Sequence, residues 1–361
     1  MRSHDDPSGA PGPRRGRGPS HRGTVLVTGA GGFVGSAVVR ALVHGMRGVV
    51  PGASRPTFAD GSPIERVVAM LRPGGSTERL DELGPSGDWA VERADLIDPG
   101  SMRTLAEAVR PRAVVHAALD PTAHGPMDEA ARRERIDHPL EVLFRTLEGG
   151  DGVRIVATGS AAVLRPGRAL DEGAPVEPNP SYPDYARHKL REEREVDRLG
   201  RVTGVPWIHL RLFYLFGRYE PTSRLLPLLV RRLARGRPVE LSLGRQVRDY
   251  TDVDDAAGAY VRALAAGQKA TGAVYHVGSG RGISIRRFAL TVAEVAGDPA
   301  LLHFGAAASP DERQEYIVSD PGRARRRLGW TAPVDTREKL LAAARWWMSR
   351  MGAPDPDPTA T

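Results

Sequence analysis

The 361-residue chain contains no cysteine, which removes disulfides, thiolate metal sites and cysteine nucleophiles together. No apolar run approaches the roughly 18 residues of a membrane span. The first 22 residues hold no apolar stretch of the signal-peptide kind, so a cytoplasmic protein with no membrane association is expected. Aromatic residues supply only 6% of the chain and do not interleave with its basic residues. The net charge is +7, and residues 1–22 alone carry Arg2, Arg14, Arg15, Arg17 and Arg22 against Asp5 and Asp6, leaving +4 for everything else. A basic excess gathered in one Gly/Pro-rich tail does not describe a nucleic-acid surface, so a small molecule rather than nucleic acid is the expected partner. No metal site is expected.

Lysine is almost missing as well. Of the 51 Lys plus Arg, only Lys189, Lys269 and Lys339 are lysine. The first of these stands four residues after Tyr185 in Tyr185-Ala186-Arg187-His188-Lys189. An ammonium is compact and shifts its pKa readily, whereas a guanidinium is planar and always charged. Residues at i and i+4 share one helical face, so the phenol and the ammonium can serve one substrate. An ammonium next to a phenol favours its ionisation and can also hold a ribose hydroxyl. An exposed Tyr/Lys pair on an ordinary helix is the competing reading, and the rest of the chain decides against it.

Near the start, the β-branched run Thr24-Val25-Leu26-Val27-Thr28 leads into Gly29-Ala30-Gly31-Gly32-Phe33-Val34-Gly35 and then an amphipathic segment. Strand, tight turn and helix in that order place free N–H groups and a positive dipole end where a pyrophosphate can sit. Gly29 permits the turn, Gly32 lets backbone approach phosphate, and Gly35 lets the helix pack on the strand. The second strand-like run ends near Arg72, where an acid would bind a ribose 2′-OH and an arginine a 2′-phosphate. Arg72 therefore tilts the expected cofactor to NADP(H) over NAD(H).

Strand-like runs at 24–28, 66–71, 89–93, 113–117 and 153–158 alternate with helix-like segments at 33–44, 99–109, 128–148 and 181–203. Alternation of this kind predicts an α/β fold, a Rossmann-type doubly wound parallel sheet with helices on both faces. The division expected is a disordered tail over 1–22, a dinucleotide-binding domain over 23–212, a smaller mixed substrate-binding cap over 213–350 with parts returning to the main sheet, and a second tail over 351–361. Residues 44–64 read as a surface insertion.

With T-G-x-x-G-x-x-G at Thr28 to Gly35 and Y-x-x-x-K at Tyr185 to Lys189, the chain resembles the extended short-chain dehydrogenase/reductase family, in particular its sugar-nucleotide epimerases, dehydratases and ketoreductases. The likeness runs from Thr24 to Trp347. It implies adenine contacts from Asp95 and Leu96 in RADLIDP and cofactor-ribose contacts from Ala117 and Ala118 in VVHAALDP. It also implies a catalytic hydroxyl at Ser160 in RIVATGSAAVL, with Thr158 the stand-in should the register slip by two. Tyr185 would be the acid/base, and Lys189 would assist it and bind the nicotinamide ribose. Tyr182 has no lysine at i+4. Arg248 in RDYTDVDDAAGAYVRAL matches an arginine that grips a nucleotide-sugar phosphate. YHVGSG at Tyr275 to Gly280 and RRRLGW at Arg325 to Trp330 complete the series.

Departures from the family pattern narrow the chemistry. After the catalytic serine, dehydratases place an Asp-Glu pair for water elimination, whereas this chain has Ala161 and Ala162. The substrate-side asparagines are replaced by Tyr214 and His276, and a late phosphate arginine by Pro310, with Arg313 the nearest substitute. The expectation is an NADP(H)-dependent ketoreductase acting on a nucleotide-linked 4-keto-deoxysugar. Its rivals are a sugar-nucleotide 4-epimerase with tightly held NAD and a non-catalytic dinucleotide-binding scaffold. Relatives often pair through the Tyr/Lys helix, which leaves a homodimer open.

Overall fold

The computed structural model describes residues 23–49, 54–150, 153–307, 315–333 and 335–351. The first tail, residues 352–361 of the second, Pro310 and Arg313 lie outside the described residues. The first half of the chain runs β1 (Thr24–Thr28), α1 (Phe33–Met46), β2 (Arg66–Leu71), β3 (Trp89–Arg93), α2 (Pro99–Val109), β4 (Ala113–His116), α3 (Glu129–Arg132), α4 (His138–Leu147) and β5 (Arg154–Ser160). It continues with β6 (Gly167–Leu170), α5 (Pro183–Thr203), β7 (Trp207–Leu212), β8 (Tyr214–Phe216), α6 (Leu225–Leu233), β9 (Val239–Leu241), β10 (Val247–Asp252) and α7 (Val253–Ala265). The remainder is β11 (Ala273–Val277), β12 (Gly282–Ser284), α8 (Ile285–Ala296), β13 (Leu302–Phe304), β14 (Tyr316–Ser319), α9 (Gly322–Leu328) and α10 (Thr336–Ser349).

Every residue of β1 and β4 is buried. Strands covered on both faces read as unbroken apolar runs rather than alternating ones, and this is the mark of a parallel sheet. Among the described residues that sheet has seven strands in the order β11-β7-β5-β4-β1-β2-β3. The order reverses between β1 and β4, which pair with Val25 opposite Ala113 and Thr28 opposite His116. A doubly wound sheet opens a ligand crevice at such a switch point, beyond the carboxyl ends of the strands. Helices α1 and α7 pack one face through Val38, Leu42, Ala256 and Tyr260. The other face is covered by Leu140, Leu143, Val196 and Leu199 of α4 and α5.

A second sheet, β12-β10-β14-β6 with β8 paired to β10, carries α6, α8 and α10 around Leu226, Leu229, Phe288 and Trp347. Chain order does not map simply onto the two sheets. Strand β6 leaves the first part of the chain to join the second sheet, and β11 returns to the edge of the first. The segment expected to be one helix over 128–148 is α3 and α4 joined by a π-helical turn at Arg133–Asp137. Pro139, near the start of α4, has no N–H to donate, and the looser register absorbs that gap. The insertion after α1 is packed in its second half, where Phe58 and Ile64 are buried and Arg112 lies over the Phe58 ring at 4.7 Å.

Arg40 of α1 is 1% exposed, and its guanidinium meets Glu82 at 3.2 Å and Asp254 of α7 at 3.0 Å. It also donates to Ser36 Oγ and to the Arg79 carbonyl. Asp252 caps α7 by accepting from the Asp254 N–H at 2.8 Å. Burial pushes its carboxyl up to about 7, helped by the charges of Asp254 and Asp255. A carboxyl whose folded-state pKa is raised lends stability at low pH and loses it as pH climbs from the ordinary aspartate range toward that value. The contribution of Asp252 to stability should therefore fall as pH rises to about 7, and Asp252→Asn, which keeps a capping oxygen, should raise the melting temperature at about pH 8 relative to about pH 5 when compared with wild type in thermal unfolding across pH.

Candidate active site

The loop between β1 and α1 sits over the end of β4. Gly29 has φ +67°, and a Cβ there would lie 2.5 Å from the Ala118 nitrogen and 2.6 Å from the Ala117 carbonyl oxygen. A Cβ on Gly35 would lie 2.2 Å from the Gly29 oxygen. Both glycines are required by close approach of backbone. Gly32 is the N-cap of α1 with no capping side chain, and a Cβ there would meet only the Gly29 carbonyl at 3.1 Å. The helix therefore ends in open N–H groups bordered by Phe33 and Val34, with no acidic side chain in its first turn. This arrangement fits an anionic diphosphate. Asp95 is half-buried at the end of β3, and its Oδ1 accepts from the Ile97 N–H at 3.1 Å, with Leu96 beside it.

Ser160 ends β5, and its Oγ accepts from the Ala162 N–H at 3.1 Å. That local contact leaves the hydroxyl proton free to donate. Thr158, two residues earlier, is committed to Tyr260 of α7 at 2.8 Å. Tyr185 lies in the first turn of α5 with its ring stacked on His124, centroids 4.6 Å apart and planes 7° from parallel. Lys189, one turn further on, is only 4% exposed, and its Nζ lies 3.4 Å from the Thr158 carbonyl. The helix thus brings the ammonium against the strand that ends in Ser160. Tyr182 is exposed ahead of the helix.

Two acids follow in the same helix, and neither was singled out from the sequence. Glu192 Oε2 lies 2.6 Å from Lys189 Nζ. Glu193 pairs with Arg211 of β7, its Oε2 2.7 Å from the Arg211 Nε. Although burial alone would lower it, the Lys189 pKa stands above its ordinary value because of the Glu192 charge. Their spacing from Tyr185 could have flagged them, but their partners lie on other strands or turn on helical phase.

The residues expected on the substrate side fall in two places. Tyr214 is packed with Tyr250 at 5.8 Å between centroids, and the Arg248 guanidinium lies 5.3 Å over its ring. Burial pushes the Tyr214 phenol up to about 12. Arg248 is 5% exposed, forms a close ion pair with Glu315 and donates to the Glu315 carbonyl at 3.1 Å. His276 is fully buried in β11, its Nδ1 3.0 Å from the Leu170 carbonyl and its Nε2 3.3 Å from Arg211. Burial holds this imidazole down at about 4, neutral at physiological pH. Its ring is spent on the joint between the two sheets. Arg224, the N-cap residue of α6, was not foreseen. It lies 5.9 Å over the Phe33 ring and 3.8 Å from Glu220, which puts a cation at the mouth of the nucleotide loop.

Parallel sheet, switch-point glycine loop and a Tyr/Lys helix against the strand ending in serine define an enzyme of the extended short-chain dehydrogenase/reductase class. The sequence model of the NAD dependent epimerase/dehydratase family matches residues 25–278, and the chain belongs to that family. It is 24% identical to a dTDP-glucose 4,6-dehydratase of Neisseria meningitidis over 90% of this chain and 93% of that protein. It is 26% identical to a UDP-glucose 4-epimerase of Mycolicibacterium smegmatis over 90% and 98%. In structure it is similar to DesIV, a dTDP-glucose 4,6-dehydratase from Streptomyces venezuelae solved with NAD and TYD bound. The TM-score is 0.76 at 23% identity, covering 92% of this chain and 99% of that one. Among the described residues no helix is long and apolar enough to cross a membrane.

These findings correct the preference for NADP(H). The family is NAD dependent and the DesIV structure holds NAD. The inference from Arg72 fails for a physical reason. Its side chain is exposed just past β2, and the neighbouring Arg93 guanidinium is turned onto the Arg72 and Gly75 carbonyls at 3.3 and 3.0 Å. In a chain with so many exposed arginines, one at a strand end does not report a 2′-phosphate. The glycine loop carries its own test. Gly35→Ala must displace the Gly29 backbone, and NAD affinity measured by calorimetry should fall by about tenfold or more, the equivalent of about 1.4 kcal/mol. Gly32→Ala should cost less.

Proposed function

We propose that this chain is an NAD-dependent enzyme that oxidises and re-reduces a carbinol of a nucleotide-linked sugar, a reaction of the 4-epimerase type. The observation that carries this reading is the pair of alanines after Ser160. Ala161 is 3% exposed and Ala162 is its neighbour, so no carboxylate stands there to eliminate water. That argues against the dehydratase chemistry named for the Neisseria and Streptomyces relatives. The cofactor correction removes the main argument for net reduction by NADPH.

Bound NAD would supply the hydride acceptor and return the hydride afterwards. The chain's own residues would handle the proton and the orientation. Gly29, Gly32 and Gly35 with the α1 N-terminus would hold the diphosphate, and Asp95, Leu96, Ala117 and Ala118 would flank the adenosine and ribose. Tyr185 would take the proton from the carbinol oxygen and give it back, the general acid/base role. Lys189 would keep a positive charge beside that phenol and bind the ribose hydroxyls. Ser160 would donate its hydroxyl proton to the substrate oxygen and fix its direction. Arg224 and Arg248 are the cations available to the sugar nucleotide's phosphates.

A second reading, reduction of a nucleotide-linked 4-keto-deoxysugar, draws support from the substrate side. Tyr214 and His276 occupy the places of two substrate-side asparagines of the family. Both departures argue against an ordinary galactose substrate. Incubating the enzyme with UDP- and dTDP-hexoses and following C4 configuration by NMR, together with free NADH by absorbance, separates the readings. Epimerisation without change in free cofactor is the expected result, and stoichiometric NADH consumption with a 4-keto sugar would move the assignment to the reductase. Tyr185→Phe should lower turnover by about 10²–10⁴-fold with NAD binding kept. Unchanged turnover in that variant would remove the acid/base role.

A further inference from the structure

The buried face of α5 carries a carboxylate that the proposed chemistry leaves unused. Glu192 is 7% exposed and stands three residues after Lys189, its Oε2 2.6 Å from the Lys189 Nζ and its Oε1 3.5 Å from the His188 Nε2. Its neighbour Glu193 is committed to Arg211, so two adjacent glutamates serve different cations. The ammonium's other near contact is the Thr158 carbonyl at 3.4 Å. The titratable groups facing this pair come from several elements. They are Tyr185 and His188 on α5, His124 from the loop after β4, His116 on β4, and His209 on β7. His116 is bound to Thr28 Oγ1 at 2.9 Å, and burial holds both His116 and His209 down at about 4. Both are therefore neutral in the working range, and Glu193 is spent on Arg211. Glu192 is the anion that answers Lys189.

We propose that Glu192 is a positioning residue, which tethers the ammonium of Lys189 at one point against β5 and holds it as a cation beside the Tyr185 phenol. The proposal rests on the Tyr185/Lys189 reading of the site. A four-carbon stem is flexible, and burial favours the neutral amine. A carboxylate at ion-pair distance opposes both tendencies. It fixes the nitrogen in space, and it makes loss of the proton costly because a buried carboxylate would be left unpaired. Glu192 also draws the ammonium's field partly to itself, so the charge reaching Tyr185 is set by two groups rather than one.

With only three lysines in the chain, the test can be read directly. Protein labelled with ¹³C at lysine Cε gives signals for Lys189, Lys269 and Lys339, and Lys189→Arg assigns the first by its disappearance. In the full chain without cofactor, Glu192→Gln should move the Lys189 titration down by about one pH unit or more. The other two signals should stay in place, and Glu192→Asp should restore part of the shift. Identical Lys189 titrations in wild type and Glu192→Gln would overturn the proposal. Should Glu192→Gln fail to fold, the wild type alone decides. A Lys189 signal that titrates below the ordinary lysine value of 10.5 overturns the tether, and one that titrates above it supports it. Turnover that survives Tyr185→Phe would count against the acid/base reading while leaving this lysine titration intact, so the two failures are distinct.

Discussion

A guanidinium sealed inside the protein fixes the part of the fold on which nucleotide binding depends. Arg40 is held by Glu82, from the segment between β2 and β3, and by Asp254, from the first turn of α7. Burying a charge is costly unless its partners are close and its hydrogens are met. Here two carboxylates, Ser36 Oγ and the Arg79 carbonyl share the guanidinium. Those partners come from α1 itself, from the Glu78–Leu83 segment and from α7, so α1 can neither turn nor slide without leaving a charge unpaired. The glycine loop inherits that rigidity, because Gly35 in the first turn of α1 packs directly on the Gly29 carbonyl. Arg79 extends the clamp by donating to the Gly31 carbonyl at 3.1 Å.

The helix that carries Tyr185 and Lys189 is fastened in the same manner. Arg191 reaches from α5 to Asp137 in the π-helical turn, with Nε 2.7 Å from Oδ1. Glu193 holds Arg211 of β7, and Arg211 in turn touches His276 of β11. An ion pair and a hydrogen bond thus link the helix that carries Tyr185, through β7, to the edge strand of the sheet. His276 then accounts for two features at once. Its side chain joins the β6 carbonyl of the second sheet to the first sheet, and its backbone N–H donates to Glu172 at 2.8 Å.

Features that depend on a neighbour in sequence were readable from the chain. Buried strands announce themselves as unbroken Val/Leu/Ile runs, the three glycines by their spacing between strand and helix, and Tyr185 with Lys189 by helical phase. Features that depend on a distant partner were not. Nothing near Arg248 signals Glu315, which lies 67 residues away, and nothing near Arg40 signals Asp254. Strand β6 is a four-residue run, GRAL, with one buried side chain, too short and too polar to reveal which sheet it joins. Arg72 misled because arginine is so common in this sequence that its presence at a strand end carries little information. The lone early lysine informed for the opposite reason.

For the phosphate contact proposed at Arg248, the pairing with Glu315 changes what binding means. A phosphate that reaches this guanidinium does not meet a bare cation. It takes the place of a carboxylate already seated there, beside the Tyr214 ring. Capture at this position is then an exchange of one oxyanion for another, and the released Glu315 must find water or a new donor. The energy gained is the difference between two ion pairs rather than the whole of one. Such a site discriminates among ligands by the geometry of their oxygens more than by their total charge, and it remains electrically balanced when no ligand is bound.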